Sequence, residues 1–229
     1  MSDAKTSLFE LLIAVLLGAG ALGGGWAGYQ SSQWGGTATE NYGKAATTAT
    51  RGATLYNIGV TTATRDASLD IEAKQLVLSS MSTKDPLKKE IDMTVAKYLY
   101  TQHLSREAYD ALGYPKEFYT RDHDKASQIP DDVLIKGLDA DLDEKYYEKV
   151  LDKGNKKFAE ADKIFEEGQK VSNYSTQFGL DGMFFTITLF LGGLSLVLKS
   201  HVRWGFLTAG YLSLGYALIK LFSLPWYSG

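Results

Sequence analysis

The chain has 229 residues, no cysteine and a formal net charge of -3, with 22% charged and 45% hydrophobic side chains. The slight acidic excess argues against a polyanion-binding surface, which needs clustered Lys and Arg to neutralise phosphates, so no nucleic-acid partner is expected. The missing cysteine excludes disulfides, thiol nucleophiles and thiolate metal ligands together.

These averages mix apolar ends with a charged middle. The first apolar run extends from about Leu8 to Tyr29. Its length approaches the roughly 20 residues that a helix needs to cross a hydrocarbon layer about 30 Å thick. Ala19, Ala21 and Ala27 imitate a signal-peptide cleavage site. The run is longer than an ordinary signal core and ends in Trp26 and Tyr29, aromatic residues of the interfacial kind, so a retained span is expected. In and beyond it, Gly20, Gly24, Gly28, Ser32 and Gly36 place a small residue at every fourth position. Such a row lets helix backbones approach closely in lipid. The partner of this row is left open between the second span (through Gly192-Gly193), the third span and a second copy of the chain.

From Gln30 to about Ser82 the chain lacks proline and strong apolar alternation, and reads as one long helix continuing out of the first span. Its many Thr and Gly residues are poor helix formers, so packing against a partner must hold it. Asp85-Pro86 supplies an N-cap with proline at the first helical position, starting a second helix to about His103. Ser105 restarts a short helix that ends near Gly113, and residues 114–130 form a connection closed by Pro130. From Asp141 the chain is helical again to about Phe178. Within this stretch Tyr147, Leu151, Gly154, Phe158, Ala161, Phe165 and Gly168 recur at spacings of four and three. This is a heptad seam that suits either an intramolecular or an intermolecular coiled coil. The alternation of large residues with Gly or Ala calls for a close partner, for which the first helix is the natural choice. At 1.5 Å per residue the helices could form an antiparallel stalk of about 50 Å or more.

The second apolar run covers about Gly182 to Leu198 and the third about Trp204 to Phe222, joined by the short basic loop Lys199-Ser200-His201-Val202-Arg203. By the positive-inside rule Lys5, Lys199 and Arg203 lie in the cytoplasm, which puts the central domain and the C-terminus outside. Trp26, Trp34, Trp204 and Trp226 are expected as interface anchors. Glu10, Asp181 and Lys220 are charges in or beside the spans, read as snorkelling or pairing rather than as a transport path.

No nucleotide-binding or Gly-x-Ser-x-Gly pattern occurs. Asp122-His123-Asp124 is read as a solvated loop rather than a metal site. The acids from Asp139 to Asp143 fail the EF-hand pattern, since Glu144 replaces its glycine and Val150 its last ligand, so they are expected to cap a helix. No catalytic residue, metal ligand or cofactor is assigned.

The segment Trp26-Ala27-Gly28-Tyr29-Gln30-Ser31-Ser32-Gln33-Trp34-Gly35-Gly36 resembles the span exit of a set of uncharacterised prokaryotic membrane proteins. Those proteins share a Gly-Tyr-Gln-x-x-x-Trp exit, an Ala-rich helix after it and two C-terminal spans joined by a basic loop. The likeness covers about a dozen residues plus the layout, and the basic N-terminal tail of many relatives is reduced here to Lys5. It implies a three-span topology with an extracytoplasmic helical domain, and no activity.

The expected protein is therefore all-α and membrane-embedded. It divides into an N-terminal span (1–29), an extracytoplasmic helical domain (30–181) and a C-terminal transmembrane hairpin (182–229). The expected function is non-enzymatic membrane assembly, as a homo-oligomer or as an accessory subunit with other membrane proteins. The alternative is a channel or transport component with an oligomeric pore.

Overall fold

The computed structural model describes the backbone of residues 2–119, 127–199 and 201–228, with side chains from Leu8 onward. The loop Asp122-His123-Asp124 lies outside the described residues, as does the side chain of Lys5. Among the described residues all regular structure is helical. The α-helices are α1 (Ser2–Ser82), α2 (Pro86–Tyr98), α3 (Arg106–Ala111), α4 (Asp131–Lys136), α5 (Glu144–Val197) and α6 (Val202–Ser223).

Helix α1 runs without interruption from the apolar run into the polar region, as its lack of proline allows. Asp85 caps α2, its Oδ1 accepting from the backbone N–H of Leu87 at 3.0 Å. A π-helical turn at Leu99–His103 extends α2 to the expected end. Ser105 caps α3, accepting from Ala108 N at 3.1 Å, and Gly113 follows with φ 73°, the left-handed conformation that favours glycine. Helix α4 is an element that the proline-closed connection concealed: Pro130 begins it instead of merely ending a loop. Asp143 Oδ1 accepts from Tyr146 N at 3.0 Å, so one of the acids of the failed EF-hand pattern caps α5. Helix α5 then passes without a break into the second apolar run.

Among the described residues three helices are long and apolar enough to cross a membrane: α1, α5 and α6. The chain forms two compact units, one of residues 1–46 with 162–229 and one of residues 47–161. Hydropathy changes near residues 29 and 182, whereas packing divides the chain elsewhere, because helix–helix contact continues past the point where the apolar run ends.

In the first unit, the N-terminal part of α1, the C-terminal part of α5 and α6 form a three-helix bundle. Its interior holds Ile13, Leu16 and Ala27 of α1, Phe178 and Phe185 of α5, and Leu207, Leu214 and Ala217 of α6. Leu16 is a knob between two glycines, since an added Cβ would meet its Cδ2 at 3.3 Å from Gly192 and 2.8 Å from Gly210. Between helices, Tyr211 donates to Leu12 O at 2.8 Å, Ser213 to Phe184 O at 3.0 Å and Ser31 to Ser175 O at 2.9 Å. Each such interhelical hydrogen bond contributes about 0.5–1.5 kcal/mol net.

In the second unit, α1 and α5 interlock by exchanging glycines and large side chains. Phe158 lies on Gly52, with 3.2 Å left for an added Cβ, and Leu151 and the Val150 carbonyl lie on Gly59. In return Gly154 sits against the backbone of Tyr56. Helices α2, α3 and α4 close around the far part of α1, burying Met93, Ala96, Tyr100, Tyr109, Leu134 and Tyr146.

Candidate functional site

The residues singled out from the sequence fall into distinct environments. Of the small row on α1, Gly20 meets Leu189 and Thr188, with 3.1 Å to Leu189 Cδ2 for an added Cβ, and Gly24 meets Phe185 Cβ at 3.3 Å. An added Cβ on Gly28 or Gly36 would meet nothing within 4 Å, and Ser32 is exposed. The row therefore divides between an inward part against α5 and an outward part. Along the seam on α5, Gly154, Ala161 and Gly168 are buried, Leu151 and Phe158 are half-buried, and Tyr147 and Phe165 are exposed. Gly168 packs on Tyr42, whose ring also stacks with Phe165 at 5.3 Å. The buried members are the small ones.

The tryptophans form two aromatic groups in the bundle. Trp204 meets Phe9 edge-on at 4.8 Å, and the Arg203 guanidinium lies 4.2 Å over the Phe9 ring as a cation–π contact. Glu10 beside them is exposed. The other group joins Trp26 to Trp226 at 5.6 Å and to Tyr29 at 5.5 Å, and Trp34 to Tyr227 and Tyr174 at 5.3 Å each.

This second group explains the Gly-Tyr-Gln-x-x-x-Trp segment. Trp34 Nε1 donates to Pro225 O at 3.1 Å, and the fully buried Gln30 accepts from Tyr227 N at 2.7 Å through Oε1. Gln30 and Trp34 thus hold the backbone of the C-terminal segment after α6. Sequence alone flagged these residues but not their role, because their partners are main-chain groups far along the chain.

Asp181 and Lys220 line one cleft with Gln177, Leu180, Phe184, Tyr216 and Leu224. They share the cleft without forming a direct ion pair. Asp181 is 4% exposed, and its Oδ2 has no hydrogen-bond partner.

A polar cluster that the sequence reading missed lies in the second unit. Asp66 is fully buried on α1. Its Oδ1 accepts from Ser105 N at 3.1 Å and its Oδ2 from the Tyr146 hydroxyl at 2.8 Å. One helical turn on, Asp70 accepts from the Tyr100 hydroxyl at 3.0 Å and pairs with Lys74 at 2.9 Å. Lys74 also reaches Asp141 at 3.2 Å. Burial opposes the Lys74 charge, but its hydrogen bonds to Asp70 and Asp141 outweigh this and raise its pKa. Tyr114 packs between Tyr100 and Tyr109, at 4.8 and 5.3 Å. This arrangement ties four elements together by hydrogen bonds. The buried carboxylates of Asp66 and Asp70 and the hydroxyls of Tyr100 and Tyr146 are satisfied by one another and by the backbone, so the cluster fastens the elements that carry them.

The tyrosines give this network a pH limit. Burial, first of all, pushes the hydroxyls of Tyr100, Tyr109 and Tyr146 above the ordinary phenol range and that of Tyr114 up to about 12. Neighbouring carboxylates add to this, Asp70 at Tyr100 and Asp66 at Tyr146. Above pH about 10 the unfolded chain therefore binds fewer protons than the folded chain, and stability falls as pH rises. The contribution is complete below that pH and disappears as the folded-state values are passed. In ultraviolet titration, phenolate absorbance should rise first for exposed tyrosines. A second rise should accompany loss of helical circular dichroism near or above pH 12, where Tyr114 ionises.

Among the described residues no group of three or more His, Asp or Glu is placed to hold a metal ion. His103 stacks edge-on against Tyr98 at 4.8 Å. No family model, curated protein or solved structure matches the chain significantly.

Proposed function

We propose that the chain is a non-enzymatic membrane assembly protein that inserts α1, α5 and α6 in the bilayer and associates with a second copy of itself through α1. One observation carries this reading: the outward row Gly18, Ala21, Gly25, Gly28, Ser32 and Gly36, spaced by three and four residues, is exposed along α1. An added Cβ at any of its four glycines would meet nothing within 4 Å. A row of this kind lets a second helix approach to backbone contact, and packing of that type drives helix association in lipid.

Insertion is supported by the outward faces, which are apolar as well: Leu22, Val197, Leu212 and Ile219 are 79%, 77%, 71% and 74% exposed. Helices that are apolar all round belong in lipid. The two aromatic groups fit the same reading. From Phe9 to Trp26 along α1 is about 26 Å, near the thickness of a hydrocarbon core. The basic loop at residues 199–203 supports a cytoplasmic side for that loop and the N-terminus, with the helical domain of residues 30–181 and the C-terminus outside.

The cysteine-free chain makes the test direct. Cysteines introduced singly in native membranes should crosslink between copies at Gly25 and Gly28 but not at the fully buried Ala27. Gly25→Leu should weaken association at least about tenfold, equivalent to about 1.4 kcal/mol. Association that is unaffected by Gly25→Leu, or a monomer in native mass spectrometry of membrane extracts, would remove the reading.

A further inference from the structure

The cleft that holds Asp181 and Lys220 serves none of the packing described so far. Its volume is about 290 Å³, near the lower end of small-molecule pockets at roughly 300 Å³. That is room for a small zwitterionic headgroup. Asp181 is buried, and its Oδ2 is left without a donor. The obvious internal partner, Lys220, lines the same cleft without closing on it. A carboxylate and an ammonium kept apart across a cavity leave room for a ligand carrying the same two charges in reverse order.

The chemistry of each group narrows that ligand. Ionised Asp181 only accepts hydrogen bonds, so its complement must donate: a primary ammonium does so and also neutralises the charge, whereas a quaternary ammonium cannot donate and a hydroxyl leaves the charge unpaired. The Asp χ2 torsion is soft, so the carboxylate can turn an oxygen toward such a donor. Lys220 only donates, which calls for an anionic oxygen such as that of a phosphate. The remaining walls include Leu180, Phe184 and Leu224. Leu180 is 51% exposed and extends the apolar surface outward from the cleft. Asp181 also immediately precedes the second apolar run, and Lys220 lies in the last turn of α6, shortly before Trp226. Both positions suit the headgroup level of a bilayer.

We propose that this cleft binds the phosphoethanolamine headgroup of a phospholipid, its ammonium donating to Asp181 and its phosphate accepting from Lys220. The proposal rests on the bilayer insertion argued above and is independent of self-association.

The test uses the full chain in nanodiscs containing phosphatidylethanolamine, phosphatidylcholine or phosphatidylglycerol, with lipids that stay bound counted by native mass spectrometry. Phosphatidylethanolamine should be retained over the other two. Asp181→Asn and Lys220→Gln should each reduce that preference by about tenfold or more, the worth of one charge-assisted hydrogen bond. Lys220→Gln changes an exposed side chain, so it keeps the test valid if Asp181→Asn disturbs the fold. Equal retention of the choline lipid, or a preference that survives both substitutions, would overturn the proposal. Soluble phosphoethanolamine that binds as tightly in choline-lipid nanodiscs would overturn the lipid source, whereas failure to compete would support it. Extraction of the chain by alkaline carbonate would instead remove the insertion reading, so the two failures are distinguishable.

Discussion

Asp66→Ala should destabilise residues 47–161 by about 3–5 kcal/mol, among the largest effects of a single side-chain truncation here. The carboxylate is fully buried and accepts from Ser105 N, from the Tyr146 hydroxyl and, at 3.2 Å, from Arg65. Truncation leaves the Ser105 N–H and the Tyr146 O–H without acceptors inside the core, at about 1–3 kcal/mol for each orphaned group. Arg65 is more than half exposed and turns to water at little cost. Asp66→Asn retains one acceptor oxygen, and the Tyr146 hydroxyl can rotate to accept from the new amide, so its cost should be nearer 1–2 kcal/mol, roughly one weakened bond. Hydrogen exchange reads both variants. Protection should fall most in α3 and the first turns of α5, where the partners of Asp66 reside. Equal protection in Asp66→Ala and the parent chain would show that the network contributes nothing to stability.

The same cluster shows where sequence reading stopped. Asp66, Asp70 and Lys74, at steps of four along a helix, have the pattern of a solvated ion-pair ladder, and exposed ladders of this kind are common. The available signal was the rest of their face. Gly59, Ala63, Ala73, Val77 and Ser80 are all small or apolar, and all are buried with the two acids. A face of small residues interrupted by two acids marks a helix approached closely enough for those acids to be enclosed. Local chemistry was legible throughout: the Asp85-Pro86 start of α2, the Ser105 cap and the Gly113 stop depend on neighbours in sequence. Helix α4 was not, since six residues between a proline and a glycine are too short for apolar periodicity to register. In the candidate cleft, the charges of Asp181 and Lys220 were visible from their setting beside the apolar runs. Their shared cavity was not, because it depends on the rotation of α6 against α5. The latch at Gln30 and Trp34 was invisible for a related reason: it grips main-chain atoms, which leave no mark on the residue types of the segment that they hold.

Gly154→Ala should lower stability, although alanine is the better helix former by about 1 kcal/mol. The decisive quantity is what the new methyl group meets. At Gly154 it would lie 2.7 Å from Tyr56 N and 2.8 Å from Tyr56 Cα. These are backbone atoms of a facing helix, and no side-chain rotation removes the clash. Overpacking of this kind costs about 1–3 kcal/mol or more, so it exceeds the propensity gain unless the helices separate. Separation carries its own penalty, because Phe158 on Gly52 and Leu151 on Gly59 are seated by the same close approach. Gly168→Ala meets the Tyr42 ring at 2.9 Å, a side chain that can tilt, and should lie near neutral. Gly36→Ala meets nothing within 4 Å and should gain up to about 1 kcal/mol while keeping its face small. Denaturation midpoints should therefore rank Gly36→Ala above Gly168→Ala and both above Gly154→Ala. If helix propensity governed these helices, all three would stabilise alike. The predicted inversion at Gly154 separates a glycine required by its neighbour from one that merely weakens its helix, and it places the requirement on the facing backbone of α1.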